Sequence, residues 1–104
     1  MADLKLDKDG YLINLEDWNS DVAQQLASNI NITLTPEHWE IIYTLQDYYR
    51  EYQHAPSQRP FVKFIAMKLG KEKGNSLFLM KLFSGSPALE AARIAGLPRP
   101  VNCF

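Results

Sequence analysis

One cysteine in 104 residues, Cys103, excludes an intrachain disulfide framework and any structural zinc site built on several thiolates. Only His38 and His54 accompany it, so a metal centre would have to be completed by carboxylates, and none is expected. No run approaches the ~20 consecutive apolar residues of a spanning helix. Residues 1–7 lack the basic region and apolar stretch of a secretion signal. These absences favour a reducing, cytoplasmic setting with no membrane. The chain also lacks internal repeats, low-complexity stretches, a glycine-rich phosphate loop and a serine in a nucleophile elbow. No cofactor is expected.

What is present is enough for one hydrophobic core. Apolar residues make up 46% of the chain and aromatics 12%, which argues for a single folded domain and against disorder. The net charge of −1 hides a split: residues 1–58 carry ten acids and three bases, residues 59–104 two acids and eight bases. Either the second half presents a basic face to an acidic partner or nucleic acid, or folding brings the two halves together.

The spacing predicts a mostly α fold of about five helices after a short N-terminal hairpin. Leu4 and Leu6 alternate with polar residues, Asp9-Gly10 marks a turn, and Tyr11-Leu12-Ile13 follows. Counted from Asp7, a calcium loop would need glycine at Leu12 and glutamate at Trp18, so this segment reads as a turn. A first helix starts with Asn19 or Ser20 as cap, with Trp18, Val22, Ala23, Leu26, Ala27 and Ile30 at helical spacing. Thr35-Pro36-Glu37 opens a second that runs to about Gln53. Its two stripes, Trp39/Ile42/Tyr43/Tyr49 and Ile41/Leu45/Tyr48/Tyr52, predict burial on most sides and the central place in the core. A third helix is expected from a Ser57 cap to Gly70, with Phe61, Phe64, Ile65 and Leu69 inward. A fourth starts near Asn75 or Ser76 and carries Leu77, Phe78, Met80, Leu82 and Phe83; a fifth covers residues 88–95 and closes at Gly96. Residues 1–96 then form the domain. Residues 97–104 form an arm that Pro98 and Pro100 keep extended. Seven steps separate Gly96 from Cys103, a span of up to ~25 Å, although Leu97, Val101 and Phe104 are able to dock on the body.

A thiol on a chain end can enter another protein's active site. Persulfide transfer needs a thiolate with access and reach more than a local pocket. The C-terminal carboxylate disfavours the thiolate, whose free pKa is near ~8.5, and Arg99 favours it. The alternative for a lone cysteine is a small buried hydrophobe, which the wet carboxylate beside Cys103 makes difficult. Prenylation would need cysteine fourth from the end, not second. Glu37-His38 with His54 form a conceivable acid–base pair, but His38 in a first helical turn reads as a surface or capping residue.

Residues 88–104, Ala-Leu-Glu-Ala-Ala-Arg-Ile-Ala-Gly-Leu-Pro-Arg-Pro-Val-Asn-Cys-Phe, resemble the signature of the TusE/DsrC family. There an A-G-L-P-K/R-P run leads to a penultimate cysteine. Asp9-Gly10-Tyr11-Leu12, residues 34–39, Asp47-Tyr48-Tyr49 and residues 69–76 resemble the family too, so the likeness covers nearly the whole chain. Ser84 and Ser86 are the points of departure. The resemblance implies a helical domain whose third and fourth helices resemble a helix-turn-helix. It implies a sulfurtransferase in which Cys103 bears the persulfide, taking sulfur from a TusBCD-like donor. The sulfur would then pass to an MnmA-like tRNA thiolase with its tRNA, for 2-thiolation of wobble uridine. The second cysteine of the DsrC branch, eleven residues before the penultimate one, falls on Ala92, so the DsrC-type disulfide is impossible here.

Three functional readings follow. The first is the sulfur relay through Cys103, by a monomer, with Arg99, Lys71 and Lys73 supporting the arm or docking. The second is a nucleic-acid-binding regulator using the helix-turn-helix-like pair and Arg59, Lys63, Lys68, Lys71, Lys73 and Lys81. The third is a DsrC-like partner of a sulfite reductase working with one cysteine, against which Ala92 stands.

Overall fold

The computed structural model describes residues 4–100; Val101, Cys103 and Phe104, on which the docking and sulfur-carrying expectations fall, lie outside the described residues. Among the described residues there are five α-helices: α1 (Ser20–Asn29), α2 (Pro36–Tyr52), α3 (Gln58–Leu69), α4 (Ser76–Leu82) and α5 (Pro87–Ile94). None is long and apolar enough to cross a membrane.

The local signals for helix starts operate as physical chemistry requires. Asn19 and Asn75 each accept a backbone N–H three residues on, from Val22 and Phe78 at 2.9 and 2.8 Å. Thr35 caps α2 and Pro36 occupies its first turn, where a missing N–H costs nothing. Ser57 and Ser86 stand at the caps of α3 and α5 without a side-chain cap bond.

The N-terminal hairpin is smaller than its alternation implies. Among the described residues it is a single antiparallel bridge, Leu6 to Leu12, because the Asp7 carboxylate organises the turn in place of a longer ladder. Its Oδ1 accepts from the N–H groups of Asp9 and Tyr11, both at 2.9 Å. A short 3-10 turn, Leu15–Asp17, then leads into Trp18.

The helix at the centre is α5, not α2 as the aromatic stripes imply. α5 packs on each of the other four helices, whereas α2 packs chiefly on α3 and α5. The reason is side-chain size. Ala88, Ala91, Ala92 and Ala95 are all at most 1% exposed, and such small residues let neighbouring helices approach closely. Large side chains fill the space around them: Tyr11, Leu26, Ile41, Ile42, Leu45, Phe61, Ile65, Leu79 and Phe83 are buried. Each such burial is worth about 1.5–3 kcal/mol against exposure.

Two stripes of α2 therefore do not both face inward. Tyr43 and Tyr52 are 50% and 47% exposed, while Tyr48 is buried and stands edge-on to Phe64 at 5.0 Å. In α4 the inward pair is Leu79 and Phe83, leaving Leu77 and Met80 on the surface. The α3–α4 turn is held close by Gly74, where a Cβ would lie 2.2 Å from the Ala66 Cα. His38 is buried rather than superficial. Its Nδ1 accepts the Thr35 N–H at 3.0 Å, and its Nε2, which must donate because a carbonyl only accepts, reaches Leu82 O at 2.7 Å. It thus caps α2 and ties it to the end of α4, with Phe83 edge-on at 5.1 Å. His54, beyond the other end of α2, packs on Tyr48, so the two histidines make no acid–base pair.

Candidate functional site

The residues that aim the arm sit where α5 ends. A helix leaves its last four carbonyls without intrahelical partners, and burial makes each expensive to leave unmet. Here all four are met. Leu97 N–H donates to Ala92 O at 3.0 Å and Gly96 N–H to Arg93 O at 3.2 Å, the paired bonds of a glycine-terminated helix end. Ile94 O accepts the Trp18 indole Nε1–H at 2.8 Å, and Ala95 O accepts Gln46 Nε2 at 2.9 Å. α1's approach segment and the middle of α2 thereby hold the point at which the chain leaves the core.

Gly96 is the pivot. Its φ of +78° suits glycine, and a Cβ there would lie 2.5 Å from Trp18 Cδ1. The Trp18 ring thus lies on the backbone at the turn. On its other side it meets Tyr43 edge-on, with centroids 6.3 Å apart, and Tyr43 stacks on Trp39 at 5.7 Å. Further back along α5 the N-terminal turn is strapped down. Tyr11 Oη donates to Leu89 O at 2.9 Å, Arg93 donates to Asp9 O at 2.8 Å, and its guanidinium stands 5.1 Å from the Tyr11 ring centre.

The described part of the arm lies along the body. Leu97 is fully buried, Pro98 and Arg99 are exposed, and Pro100 is buried. Of the residues expected to assist, Arg99 faces solvent, and Lys71 is exposed in the α3–α4 turn. Lys73, in the same turn, forms an ion pair with Glu40 of α2. Partly exposed as it is, that pair contributes little stability. Arg59, Lys63, Lys68 and Lys81 are also exposed. α4, the second helix of the helix-turn-helix-like pair, offers Leu77 and Met80 beside Lys81, an apolar face poorly suited to reading base edges.

One titrating group is perturbed near the helix start. Burial pushes the Glu90 carboxyl above its ordinary range, with Arg93 and the Ser86 backbone opposing. Its Oε1 is buried without a hydrogen-bond partner among the described residues. Trp18 and Gln46 were not expected as arm-holding residues. Their signal was indirect: a helix closed by Ala95-Gly96-Leu97 satisfies two carbonyls itself and needs two donors from elsewhere.

With that geometry in hand, comparison with known proteins is specific. Residues 1–104 match the family described as DsrC like protein. The chain belongs to that family. Among curated relatives, the sulfurtransferase TusE homologue of Haemophilus influenzae is 46% identical over 102 residues, 98% of this chain and 94% of that protein. Sulfurtransferase TusE of Escherichia coli K12 is 44% identical over the same shares. Among solved structures, DsrC of Allochromatium vinosum superposes with a TM-score of 0.87 at 50% identity, covering 97% of this chain and 90% of that one. The oxidised γ-subunit of the Archaeoglobus fulgidus dissimilatory sulfite reductase gives 0.81 at 42% identity, over 97% and 92%. The five-helix architecture is therefore the DsrC-like fold. Position 92 of this DsrC-like chain is an alanine, fully buried in α5, and the one cysteine of the sequence is Cys103.

Proposed function

We propose that this DsrC-like protein is a TusE-type sulfur relay. Cys103 accepts sulfane sulfur from a TusBCD-like donor and delivers it towards an MnmA-like tRNA thiolase for 2-thiolation of the wobble uridine. The observation that carries this is the single cysteine, next to last in a chain whose TusE-named relatives match over 98% of its length. In the transfer the Cys103 thiolate attacks the terminal sulfur of the donor persulfide. A new S–S bond forms at Cys103, the donor's inner sulfur leaves as thiolate, and no net oxidation occurs. The second transfer repeats this with Cys103 as the donor. A carrier of this kind needs no pocket of its own, only a thiol held at the end of an aimed segment, and it works as a monomer in the cytoplasm. The exposed Arg59, Lys63, Lys68, Lys71 and Lys81 suit an acceptor that is holding tRNA.

The 50% identity to Allochromatium vinosum DsrC favours a second reading, partnership with a sulfite reductase. The absence of a second thiol argues against it, since a disulfide-forming cycle within one chain needs two.

The deciding experiment is intact mass after incubation with cysteine desulfurase, cysteine and a TusBCD-like donor. The expected result is a gain of one sulfur atom on wild type, reversed by reductant, and none on Cys103→Ser. Equal loading of both proteins removes Cys103 from the relay. If neither loads while the donor is charged, the sulfite-reductase reading is taken up by pull-down.

A further inference from the structure

Trp18, Tyr43 and Trp39 form one continuous aromatic surface beside the arm. Tyr43 is half exposed and its two neighbours are partly buried. The rings are fixed relative to one another, at 6.3 Å and 86° for the first pair and 5.7 Å and 26° for the second. Trp18 rests directly on Gly96, where the arm begins. Rigid aromatics half open to water are characteristic of protein interfaces, where they bury large areas at small entropic cost.

The length of the remaining chain says how near a partner must come. Pro100 is buried, and three residue steps separate it from Cys103. Three steps span at most about 10 Å. With Pro100 buried, a protein that exchanges sulfur with Cys103 must therefore bring its own surface against this one rather than receive a long free arm. The four steps from Gly96 to Pro100 span at most about 14 Å, which puts the aromatic surface within the zone such a partner covers.

Charge narrows the occupant. Exposed Glu16 and Asp17 immediately precede Trp18, and the exposed cation nearest Gly96 in the chain is Arg99 alone. Glu40 and Asp47, on the same helix, are neutralised by Lys73 and Arg50. The Trp18 edge of the aromatic surface is thus net acidic. It suits a partner with an apolar centre and a basic rim, whose guanidinium groups also stack on indole and phenol faces. It is ill suited to a partner covered by RNA, which the cationic residues 59–81 suit better.

We infer that the Trp18–Tyr43–Trp39 surface is the docking face for the sulfur donor, an RNA-free protein with basic residues around its persulfide site. This rests on the relay reading and adds the face and the charge of the contact.

The chain contains only two tryptophans, and both lie in this surface. Cys103→Ser protein carrying 5-fluorotryptophan, titrated with an uncharged TusBCD-like complex, isolates docking from chemistry. The expected result is that both fluorine resonances shift or broaden. Tyr43→Lys and the milder Tyr43→Ala should raise the KM for sulfur loading, the first by about tenfold, with the rate at saturation unchanged. Glu16→Lys should also weaken loading, and salt should weaken wild type. Sulfur transfer to wild type with both resonances unmoved, or a wild-type KM for Tyr43→Lys, overturns the docking face and leaves the relay intact. Resonances that shift without any sulfur transfer keep the docking face and remove the relay. Neither shift nor transfer removes both.

Discussion

Trp18 and Ile94, 76 positions apart, are joined by an indole N–H donated to a carbonyl at 2.8 Å. That bond closes the end of the most buried helix and simultaneously lays a flat ring under the first turn of the arm. Removing the donor leaves a carbonyl stranded in a region from which water is excluded. Trp18→Phe should therefore lose about 1–3 kcal/mol. Urea denaturation checks this: the midpoint falls while the slope stays unchanged, because the folded and unfolded surfaces stay similar. Gln46→Leu, which strands Ala95 O, should fall by a similar amount.

Gly96→Ala should be the most damaging single substitution at the arm's root. The added methyl meets strain twice, from a φ of +78° and from a 2.5 Å approach to Trp18 Cδ1. Positive-φ strain and overpacking each cost on the order of 1–3 kcal/mol. Their combination should lower the melting temperature more than Trp18→Phe does, as read by circular dichroism.

His38→Phe keeps an aromatic ring against Phe83 and deletes the bonds to Thr35 and Leu82. The expected loss is about 1–3 kcal/mol. Amide hydrogen exchange gives the sharper check, since protection should fall first at the end of α4, where Leu82 O loses its donor.

Glu90 imposes a pH dependence of defined sign. Its carboxyl is raised in the folded state, mainly by burial, so the folded protein holds the proton more tightly than the unfolded chain. The protein is most favoured while Glu90 is protonated in both states, below the ordinary value of 4.5. Stability then declines as pH rises through the folded-state pKa. Glu90→Gln should therefore exceed wild type in stability at neutral pH and match it well below that value. Parallel denaturation curves at the two pH values test this, and a constant difference at both would contradict it.

Sequence patterns carried the helices well because caps are local. Thr35-Pro36 placed α2, and Asn19 and Asn75 placed α1 and α4, each through bonds spanning three residues. They misplaced the centre because α5 is built from alanines, which carry little hydrophobic signal and gain their importance only from neighbours. They overstated the inward reach of α2 because a run of aromatics reads as core whether it faces a helix or a partner. Trp18 and Gln46 were hidden for a plainer reason: their acceptors lie 76 and 49 positions away. The expectation for Cys103 rests on chemistry and resemblance, and the residue lies outside the described residues.

No linker separates α5 from the arm: the helix ends at Ile94, the turn is made by Gly96, and Leu97 is already buried. The segment that follows α5 is therefore not a portable tag. Grafted onto another protein, residues 97–100 would lose the tryptophan and glutamine, distant in sequence, that close the helix end they leave from. Moving this segment with its course intact would require transplanting the fold.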